Sequence, residues 1–438
     1  MGHDPKRALL VGVILPNTRD IDHEESLVEL EELARNLDYK VQETLLVKVR
    51  KPQARFLTGP GKAQEIIDLA KGLKCGSILF DEPLLPSQQR NWESTGELNV
   101  IDRQEVILDI FAHRAQTKEA VLQVELARLQ YELPRMKRLW THLDRQRGGG
   151  AIQRGEGEAQ IEIDQRLIRK RIAKVKGELK QVVKRRGIQR KQRMKVPVPS
   201  AAIVGYTNAG KSTLLNCLTG SDVQVADKLF ATLDPTSRKL TLPSGRVIVG
   251  TDTVGFVRRL PHRLIQAFKA TLEEALVADF LIHVLDGSSP GVEAHLKTTL
   301  EVMEELGAEE KPRITVFNKT DLVKEPARLR QLEQVVPGAR FVSCKTGDGI
   351  DDLLSRIDEA LRESPVLSEL VVPYEHYELI AQLHELGCIQ EEKNLEEGIR
   401  ILARDIPAVY QERLNGFLRQ SIESLDAGDK SSGHVPRK

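Results

Sequence analysis

The octapeptide GYTNAGKS has the spacing G-x-x-x-x-G-K-[ST] of a phosphate-binding loop. It follows the apolar run AAIV and precedes the helix-like run STLLNCLTG, which is the strand-loop-helix context that the motif requires. We expect Lys211 to reach the β- and γ-phosphates and the Ser212 hydroxyl to coordinate Mg²⁺. The alternative is a chance glycine turn between a strand and a helix. The residues expected to contact phosphate are Gly205, Tyr206, Thr207, Asn208, Ala209, Gly210, Lys211 and Ser212.

A second motif, DTVG, ends the apolar run RVIVGT. The Asp252 carboxylate can hold Mg²⁺ through a water molecule, and the Gly255 N–H can face a γ-phosphate. The motif therefore fits the metal and phosphate end of a nucleotide triphosphate. Its four residues are Asp252, Thr253, Val254 and Gly255.

Two further motifs indicate which base is bound. NKTD ends the run RITVF, and the Asp321 carboxylate can accept from both N1–H and the exocyclic amine of guanine, a pair that adenine does not offer. The Lys319 stem can lie over the base, and backbone N–H groups of SCK, after RFV, can approach the guanine O6. Each motif alone could be a simple turn, but all four in this order predict a guanine-nucleotide site. The residues of these two motifs are Asn318, Lys319, Thr320, Asp321, Ser343, Cys344 and Lys345.

The elements that must position these motifs belong to a soluble α/β protein of about three domains. The chain has 438 residues, of which 40% are hydrophobic and 29% charged, as in globular proteins. It contains neither an apolar run of about 20 residues nor a secretory signal. The four cysteines form no CxxC pair, so neither a disulfide framework nor a zinc site is indicated. We therefore expect a cytoplasmic protein.

Alternating apolar and helix-like runs predict the division of the chain into domains. The last residues have the polar composition of a disordered tail. The predicted segments are a small N-terminal α/β domain (1–112), a basic helical hairpin (113–196), a doubly wound α/β domain (197–364), a small C-terminal α+β domain (365–425) and a disordered tail (426–438).

Two apolar stripes with helical spacing predict an antiparallel helical hairpin, whose first helix is kinked by Pro134. Between Pro134 and Lys195, 20 basic residues face 6 acidic ones, although the whole chain has a net charge of only +1. The glycine-rich segment from His142 to Gln160 is expected to form the loop at the hairpin tip. The stripes comprise Leu122, Leu126, Leu129, Leu133, Met136 and Trp140, and Ile168, Ile172, Val175, Leu179 and Val182.

With these motifs the chain resembles the translational GTPases of the phosphate-loop class, and more narrowly the HflX family. The narrower resemblance covers most of residues 1–365. It implies a ribosome-binding GTPase that acts on the large subunit and can dissociate stalled or idle ribosomes. The family's usual Pro-Gly-Glu-Thr-Gln run is replaced here by GEGEAQ, so the tip contacts should differ in detail. The resemblance rests on LFATLDPTSR, DTVGFVRRLP, FDEPLLPSQQRN, ILDIFAHRA and LQVELARLQYELPR.

The resemblance makes LFATLDPTSR the first switch segment. Thr232 and Thr236 could each close over Mg²⁺ and the γ-phosphate, and the resemblance favours Thr232. Catalysis is then assigned to Lys211, Thr232 and Gly255, and Mg²⁺ to Ser212, Thr232 and, through water, Asp252. The switch residues expected to contact GTP are Phe230, Ala231, Thr232, Leu233 and Asp234.

Two residues bear on the rate of hydrolysis. Phe256 occupies the position where a Ras-like protein has the glutamine that orients water, so we expect slow hydrolysis that the ribosome or another residue must assist. Asn208 could ligate K⁺ near the phosphates, or it could only shape the loop. Thr58-Gly-Pro-Gly-Lys62 could bind a second nucleotide, but lacks the phosphate-loop spacing and fits a helix-starting turn better.

The tip of the hairpin is the predicted RNA contact. Its arginines can pair with phosphates and its glycines allow close approach to RNA, whereas the alternative is a solvated turn. The residues concerned are Arg145, Arg147, Gly148, Gly149, Gly150 and Arg154. The partners expected are GTP or GDP and the large ribosomal subunit with its RNA, bound by a monomer. The rival hypothesis is a regulatory GTPase that acts on another RNA or protein at a membrane surface.

Overall fold

The computed structural model describes residues 4–16, 23–136, 154–193, 198–220, 230, 233, 235–258, 276–363, 367–385, 388–404, 406, 410 and 413–422. Several predicted features lie outside these residues. They are Trp140, most of the hairpin tip and the tail from Asp426.

The N-terminal residues form a parallel four-stranded sheet with strand order β2-β1-β3-β4. Strand β1 contains the apolar run ALLVGVI and is buried along most of its length, as expected for a central strand of a parallel sheet. The strands are β1 (Asp4–Ile14), β2 (Lys40–Lys48), β3 (Cys75–Phe80) and β4 (Asn99–Asp102). The helices are α1 (His23–Asn36), α2 (Pro60–Gly72), α3 (Pro86–Gly96) and α4 (Arg103–Arg114). The predicted succession of βαβ units is confirmed.

The predicted helical hairpin is present. Helix α5 (Lys118–Glu132) starts at the cap residue Thr117, whose hydroxyl accepts from Ala120 N at 3.2 Å. It continues as a 3₁₀ turn at Leu133–Arg135, because proline cannot donate the next helical hydrogen bond. Its apolar stripe packs on helix α6 (Arg154–Arg193). The seam consists of the buried Leu122, Leu126 and Val175, with Leu129, Ile172, Leu179 and Val182 beside them.

One expectation about the hairpin is wrong. The loop was expected to extend to Gln160, but α6 begins at Arg154 and includes Gly155 and Gly157. A glycine inside a helix costs only about 1 kcal/mol relative to alanine, which a helix of 40 residues can absorb. Arg154 therefore lies at a helix start, whereas Arg145, Arg147 and the glycines Gly148, Gly149 and Gly150 lie outside the described residues.

A six-stranded sheet carries the nucleotide-site motifs, with strand order β10-β9-β8-β5-β7-β6. All neighbours are parallel except β6 and β7, which form a hairpin. In this register Ile203 lies opposite Asp252, and Asp286 lies opposite Asn318, so the motifs end at one edge. The strands are β5 (Ser200–Gly205), β6 (Thr236–Thr241), β7 (Val247–Asp252), β8 (Phe280–Asp286), β9 (Arg313–Asn318) and β10 (Arg340–Phe341). The helices are α7 (Lys211–Thr219), α8 (Val292–Leu306), α9 (Pro326–Val335) and α10 (Ile350–Glu363).

The C-terminal residues form an antiparallel sheet with strand order β12-β13-β11-β14. Helix α11 (Tyr377–Glu385) packs on it through Leu379, Ile380 and Leu383. These elements agree with the α+β class predicted for this part of the chain. The strands are β11 (Leu367–Val372), β12 (Ile389–Leu395), β13 (Gly398–Arg404) and β14 (Leu418–Ile422).

The N-terminal and nucleotide-site domains share one hydrophobic cluster. It includes Leu30 and Phe111 from the first domain and Phe230, Phe256 and Met303 from the second. The Phe111 and Phe230 rings meet edge to face with centroids 4.6 Å apart. The two domains therefore pack through an apolar interface. None of the helices that the structure describes is both long and apolar enough to cross a membrane.

Candidate functional site

The phosphate loop connects β5 to α7, and its shape depends on glycine. Gly210, the residue before α7, has φ +92°, a conformation that residues with a side chain rarely adopt. A Cβ at this position would overlap the Nδ2 atom of Asn318. Asn208 is also left-handed, with φ +57°, which asparagine tolerates better than most residues. Asn208 therefore shapes the loop, and its side chain is exposed to solvent.

Lys211 lies under the loop and is 7% exposed. Its Nζ donates to the backbone oxygen of Tyr206 at 2.8 Å. Burial lowers the pKa of Lys211 from 10.5 to about 8, against the opposing effect of the Asp252 carboxylate. A Cβ on Gly255 would lie 2.8 Å from the same Nζ, so the DTVG segment passes directly over the lysine.

The residues expected to hold Mg²⁺ meet at the start of α7. The Ser212 hydroxyl donates to Asp252 Oδ2 at 2.5 Å. Asp252 is 2% exposed, and its Oδ1 is buried without a hydrogen-bond partner among the described atoms. A buried carboxylate oxygen without a partner is costly, and a hydrated Mg²⁺ would satisfy it. These oxygens fit the ion, whereas Thr232 lies outside the described residues.

The guanine motifs are brought together by hydrogen bonds. Asp321 Oδ1 accepts from the Ser343 hydroxyl at 2.8 Å, which fixes the carboxylate while its residue stays exposed. Lys319 Nζ pairs with Asp286 Oδ2 at 2.7 Å, which holds the lysine stem beside the same strand ends. The sequence analysis did not assign Asp286 to the site. Its position at the end of an apolar run, just before Gly-Ser, could have indicated a residue at the end of a strand near the other motifs.

Asn318 braces the two halves of the site. Its Nδ2 donates to Ala209 O in the phosphate loop at 3.0 Å. Its Oδ1 accepts from Cys344 N in the SCK segment at 3.2 Å. The sequence assigned Asn318 to the nucleotide, whereas the structure shows a residue that holds the phosphate loop and the guanine segment in fixed relation.

Several residues assigned to GTP contact have side chains buried in packing. Phe230, Leu233 and Val254 belong to the interdomain cluster, and Thr253 Oγ1 donates to Ile203 O at 2.7 Å. Their side chains do not face a nucleotide, so only their backbone atoms could contact one. Phe256 is 2% exposed in the same cluster and cannot orient water. Ala231 and Asp234 lie outside the described residues.

The basic hairpin keeps its charge on the surface. Outside the seam with α5, helix α6 exposes a row of cations to solvent. Arg171 is held by Glu125 of α5, with 2.6 Å between Nε and Oε1. The exposed cations are Arg166, Arg169, Lys170, Lys174, Lys176, Lys180 and Lys184.

The segment Thr58-Gly-Pro-Gly-Lys62 forms the start of helix α2, which begins at Pro60 without a side-chain cap. This agrees with the expected helix-starting turn. The second nucleotide site considered for this segment stays a prediction.

Comparisons with known proteins agree with this geometry. Residues 24–112 match the GTP-binding GTPase N-terminal family, residues 114–193 the GTP-binding GTPase middle region, and residues 200–319 a 50S ribosome-binding GTPase family. The chain is 48% identical over 424 residues to the GTPase HflX of Akkermansia muciniphila, which covers 94% of this chain and 97% of that protein. The chain belongs to the HflX family of GTPases.

Other HflX relatives match nearly as completely. The GTPase HflX of Escherichia coli K12 is 40% identical over 410 residues, covering 93% of this chain and 95% of that protein. A solved GTP-binding protein from Sulfolobus solfataricus in complex with GDP is 25% identical, covers 82% of this chain and 99% of its own, and has a TM-score of 0.42. Membership of the HflX family means that this chain binds and hydrolyses GTP. GTPases with this phosphate loop generally use Mg²⁺.

Proposed function

We propose that this HflX-family chain binds the large ribosomal subunit in its GTP form and dissociates stalled or idle ribosomes. The observation that carries the proposal is the combination of a GTP site with a hairpin whose helix α6 exposes a row of cations between Arg166 and Lys184. Such a surface is attracted to RNA phosphates. The match of residues 200–319 to a 50S ribosome-binding GTPase family supports the same partner. The protein would act as a cytoplasmic monomer, in part peripheral to the membrane.

We assign the GTP contacts to the motifs at the edge of the six-stranded sheet. Lys211 and the loop amides bind the phosphates, Ser212 and Asp252 hold Mg²⁺ with Thr232, and Asp321 selects guanine. GTP would order the switch segments and favour the ribosome-binding form. Because Phe256 is packed in the core, hydrolysis would be slow until the ribosome completes the site.

The proposal is tested by co-sedimentation with 50S subunits in GDP or a non-hydrolysable GTP analogue, and by gradient analysis of 70S ribosomes. We expect binding with the analogue, splitting of 70S particles, and faster GTP hydrolysis when 50S subunits are added. Absence of 50S binding in both nucleotides would refute the proposal. It would favour the regulatory GTPase with another partner.

The RNA contact is tested by replacing Arg145, Arg147 and Arg154 with alanine. Binding to 50S subunits should weaken, and the slope of log affinity against log salt should flatten by about 0.7–0.9 for each lost phosphate contact. GTP affinity should not change because the arginines lie in another domain. The control replaces the exposed Lys40, Lys71 and Lys393 with alanine. These substitutions remove the same amount of positive charge from other surfaces. If both triple variants behave alike, only net charge matters and the tip has no specific contact.

A further inference from the structure

Tyr206 of the phosphate loop points into the N-terminal domain. Its hydroxyl donates to Glu29 Oε1 of α1 at 2.5 Å, and its ring stacks on His295 with centroids 3.9 Å apart. Burial, reinforced by Glu29, raises the pKa of Tyr206, so the hydroxyl keeps its proton and remains a donor. A loop residue of the GTP site is therefore held by a carboxylate from another domain.

The segment after Gly255 is held by the same helix. Arg258 N donates to the Tyr206 hydroxyl oxygen at 2.8 Å. The Arg258 guanidinium pairs with Glu25 Oε2 at 2.5 Å, and the two side chains are 10% and 26% exposed. Glu25 and Glu29 are four residues apart and so lie on one face of α1. This face contacts both Tyr206 of the phosphate loop and Arg258, three residues after Gly255.

The face of α1 is itself fixed by buried charge. Glu29 pairs with Arg103, which is 1% exposed and also donates to Asp81 Oδ1 at 2.5 Å. Removing one partner of a buried ion pair strongly destabilises the folded protein, because the other charge is left buried and unpaired. The network therefore holds this face of α1 in place. On the other side, a Cβ on Gly291 would overlap Glu25 Oε1, so α8 begins against this carboxylate.

Phe256, the residue after the DTVG motif, is hydrogen-bonded to the phosphate loop. Thr207 N donates to Phe256 O at 2.7 Å, and Phe256 N donates to Gly205 O at 3.0 Å. Gly255 is thereby held over Lys211, the residue expected to bind the terminal phosphates. The ion pair between Arg258 and Glu25 therefore restrains this segment against movement away from α1.

We propose that Glu25 and Glu29 are positioning residues for GTP, through which the N-terminal domain holds Gly255 at the site of the γ-phosphate. The proposal rests on the GTP site assigned above and does not depend on the ribosome. GDP has no γ-phosphate and does not use Gly255. The contact of Glu25 with Arg258 therefore contributes to affinity for GTP and not for GDP. Binding energies are reciprocal, so a GTP analogue strengthens the contact between the domains by the same factor.

The test measures the dissociation constants of GDP and a non-hydrolysable GTP analogue for Glu25→Gln in the full chain. Coupling between sites commonly amounts to about 5- to 150-fold, and a single contact should lie at the lower end. We expect about tenfold weaker binding of the analogue and unchanged GDP affinity. Glu369→Gln, which breaks the ion pair with Arg400 in the C-terminal sheet, is the matched control and should change neither constant.

Two further variants separate positioning from a general structural effect. Arg258→Gln should cause the same selective loss, and the double variant with Glu25→Gln should lose no more than either single variant. Arg258→Lys keeps the charge and should restore part of the selectivity. Gly291→Ala pushes on Glu25 without changing any charge and should also weaken analogue binding alone.

Equal losses for both nucleotides, or no loss for either, would overturn the proposal. Additive effects of Glu25→Gln and Arg258→Gln would also overturn it, because the two residues would then act separately. If the unaltered chain binds neither nucleotide, the GTP site itself is wrong. If Glu25→Gln does not fold, Glu25→Asp, which keeps the charge but shortens the side chain, must show the same selective loss.

Discussion

Replacement of Gly210 by alanine should damage both halves of the nucleotide site at once. The residue is left-handed, with φ +92°, and an added Cβ would overlap the Asn318 amide. That amide joins Ala209 O to Cys344 N through hydrogen bonds of 3.0 and 3.2 Å. The added methyl group must therefore displace the phosphate loop, the Asn318 side chain, or both.

The size of the effect follows from these contacts. A left-handed conformation costs a residue with a Cβ about 1–2 kcal/mol. Each lost hydrogen bond costs about 0.5–1.5 kcal/mol net. The backbone strain and the two lost hydrogen bonds together amount to about 3 kcal/mol, which nucleotide binding must supply to restore the loop. Because about 1.4 kcal/mol corresponds to a tenfold change in the dissociation constant, affinity for the nucleotide should fall about a hundredfold.

Calorimetric titration with GDP measures the loss for Gly210→Ala. Gly220→Ala is the matched control, because Gly220 ends α7 with φ +61° but a Cβ there would meet no atom within 4 Å. Its strain should lower stability and leave GDP affinity within about twofold, since it breaks no hydrogen bond of the site. The role assigned to Asn318 would be refuted if Gly210→Ala bound GDP within threefold of the unaltered protein. It would also be refuted if the two variants lost equal GDP affinity.

Three more predictions concern the same site. Asp321→Asn exchanges an acceptor for an amide that fits the xanthine edge, so binding measurements should show preference moving from GTP to XTP; tight GTP binding that ignores XTP would contradict the assignment. Burial lowers the pKa of Lys211 to about 8 in the free protein, so the ammonium is present below pH 7 and nucleotide affinity should fall as pH rises through 8. Lys211→Arg, which stays charged at these pH values, should flatten this profile between pH 7 and 9, and a profile identical to that of the unaltered chain would exclude the lysine as its source. Hydrolysis in K⁺ should exceed that in Na⁺ if Asn208 ligates the cation; equal rates in the two salts would leave Asn208 with its loop-shaping role alone.

The sequence was informative where local pattern and strand ends decide the structure. The apolar runs predicted the parallel sheets, and the motifs after β5, β7, β9 and β10 gather because the carboxyl ends of parallel strands share one edge. The apolar stripes of α5 and α6 likewise predicted the hairpin and its seam. These features need only period and order along the chain.

The contacts between distant residues could not be predicted in this way. Tyr206 and Glu29 are 177 positions apart, and nothing in the spacing of either residue relates them. Tyr206 was assigned to the nucleotide because it lies in the loop motif, although its side chain faces the N-terminal domain. Gly155 and Gly157 were assigned to a loop from their low helix propensity, which the long helix α6 overrides.

The packing between α5 and α6 determines where the far end of α6 lies. A helix of 40 residues is about 60 Å long at 1.5 Å per residue, so a rotation of about 5° at one end moves the other by about 5 Å. Among the described side chains, few fix the angle between α5 and α6, and Leu122, Leu126 and Val175 are the buried ones at the centre. A change of side-chain volume there would change the direction of α6 and move the far end of the helix by several ångströms. The packing of these side chains, together with the Arg171–Glu125 ion pair beside them, thus sets the direction of α6.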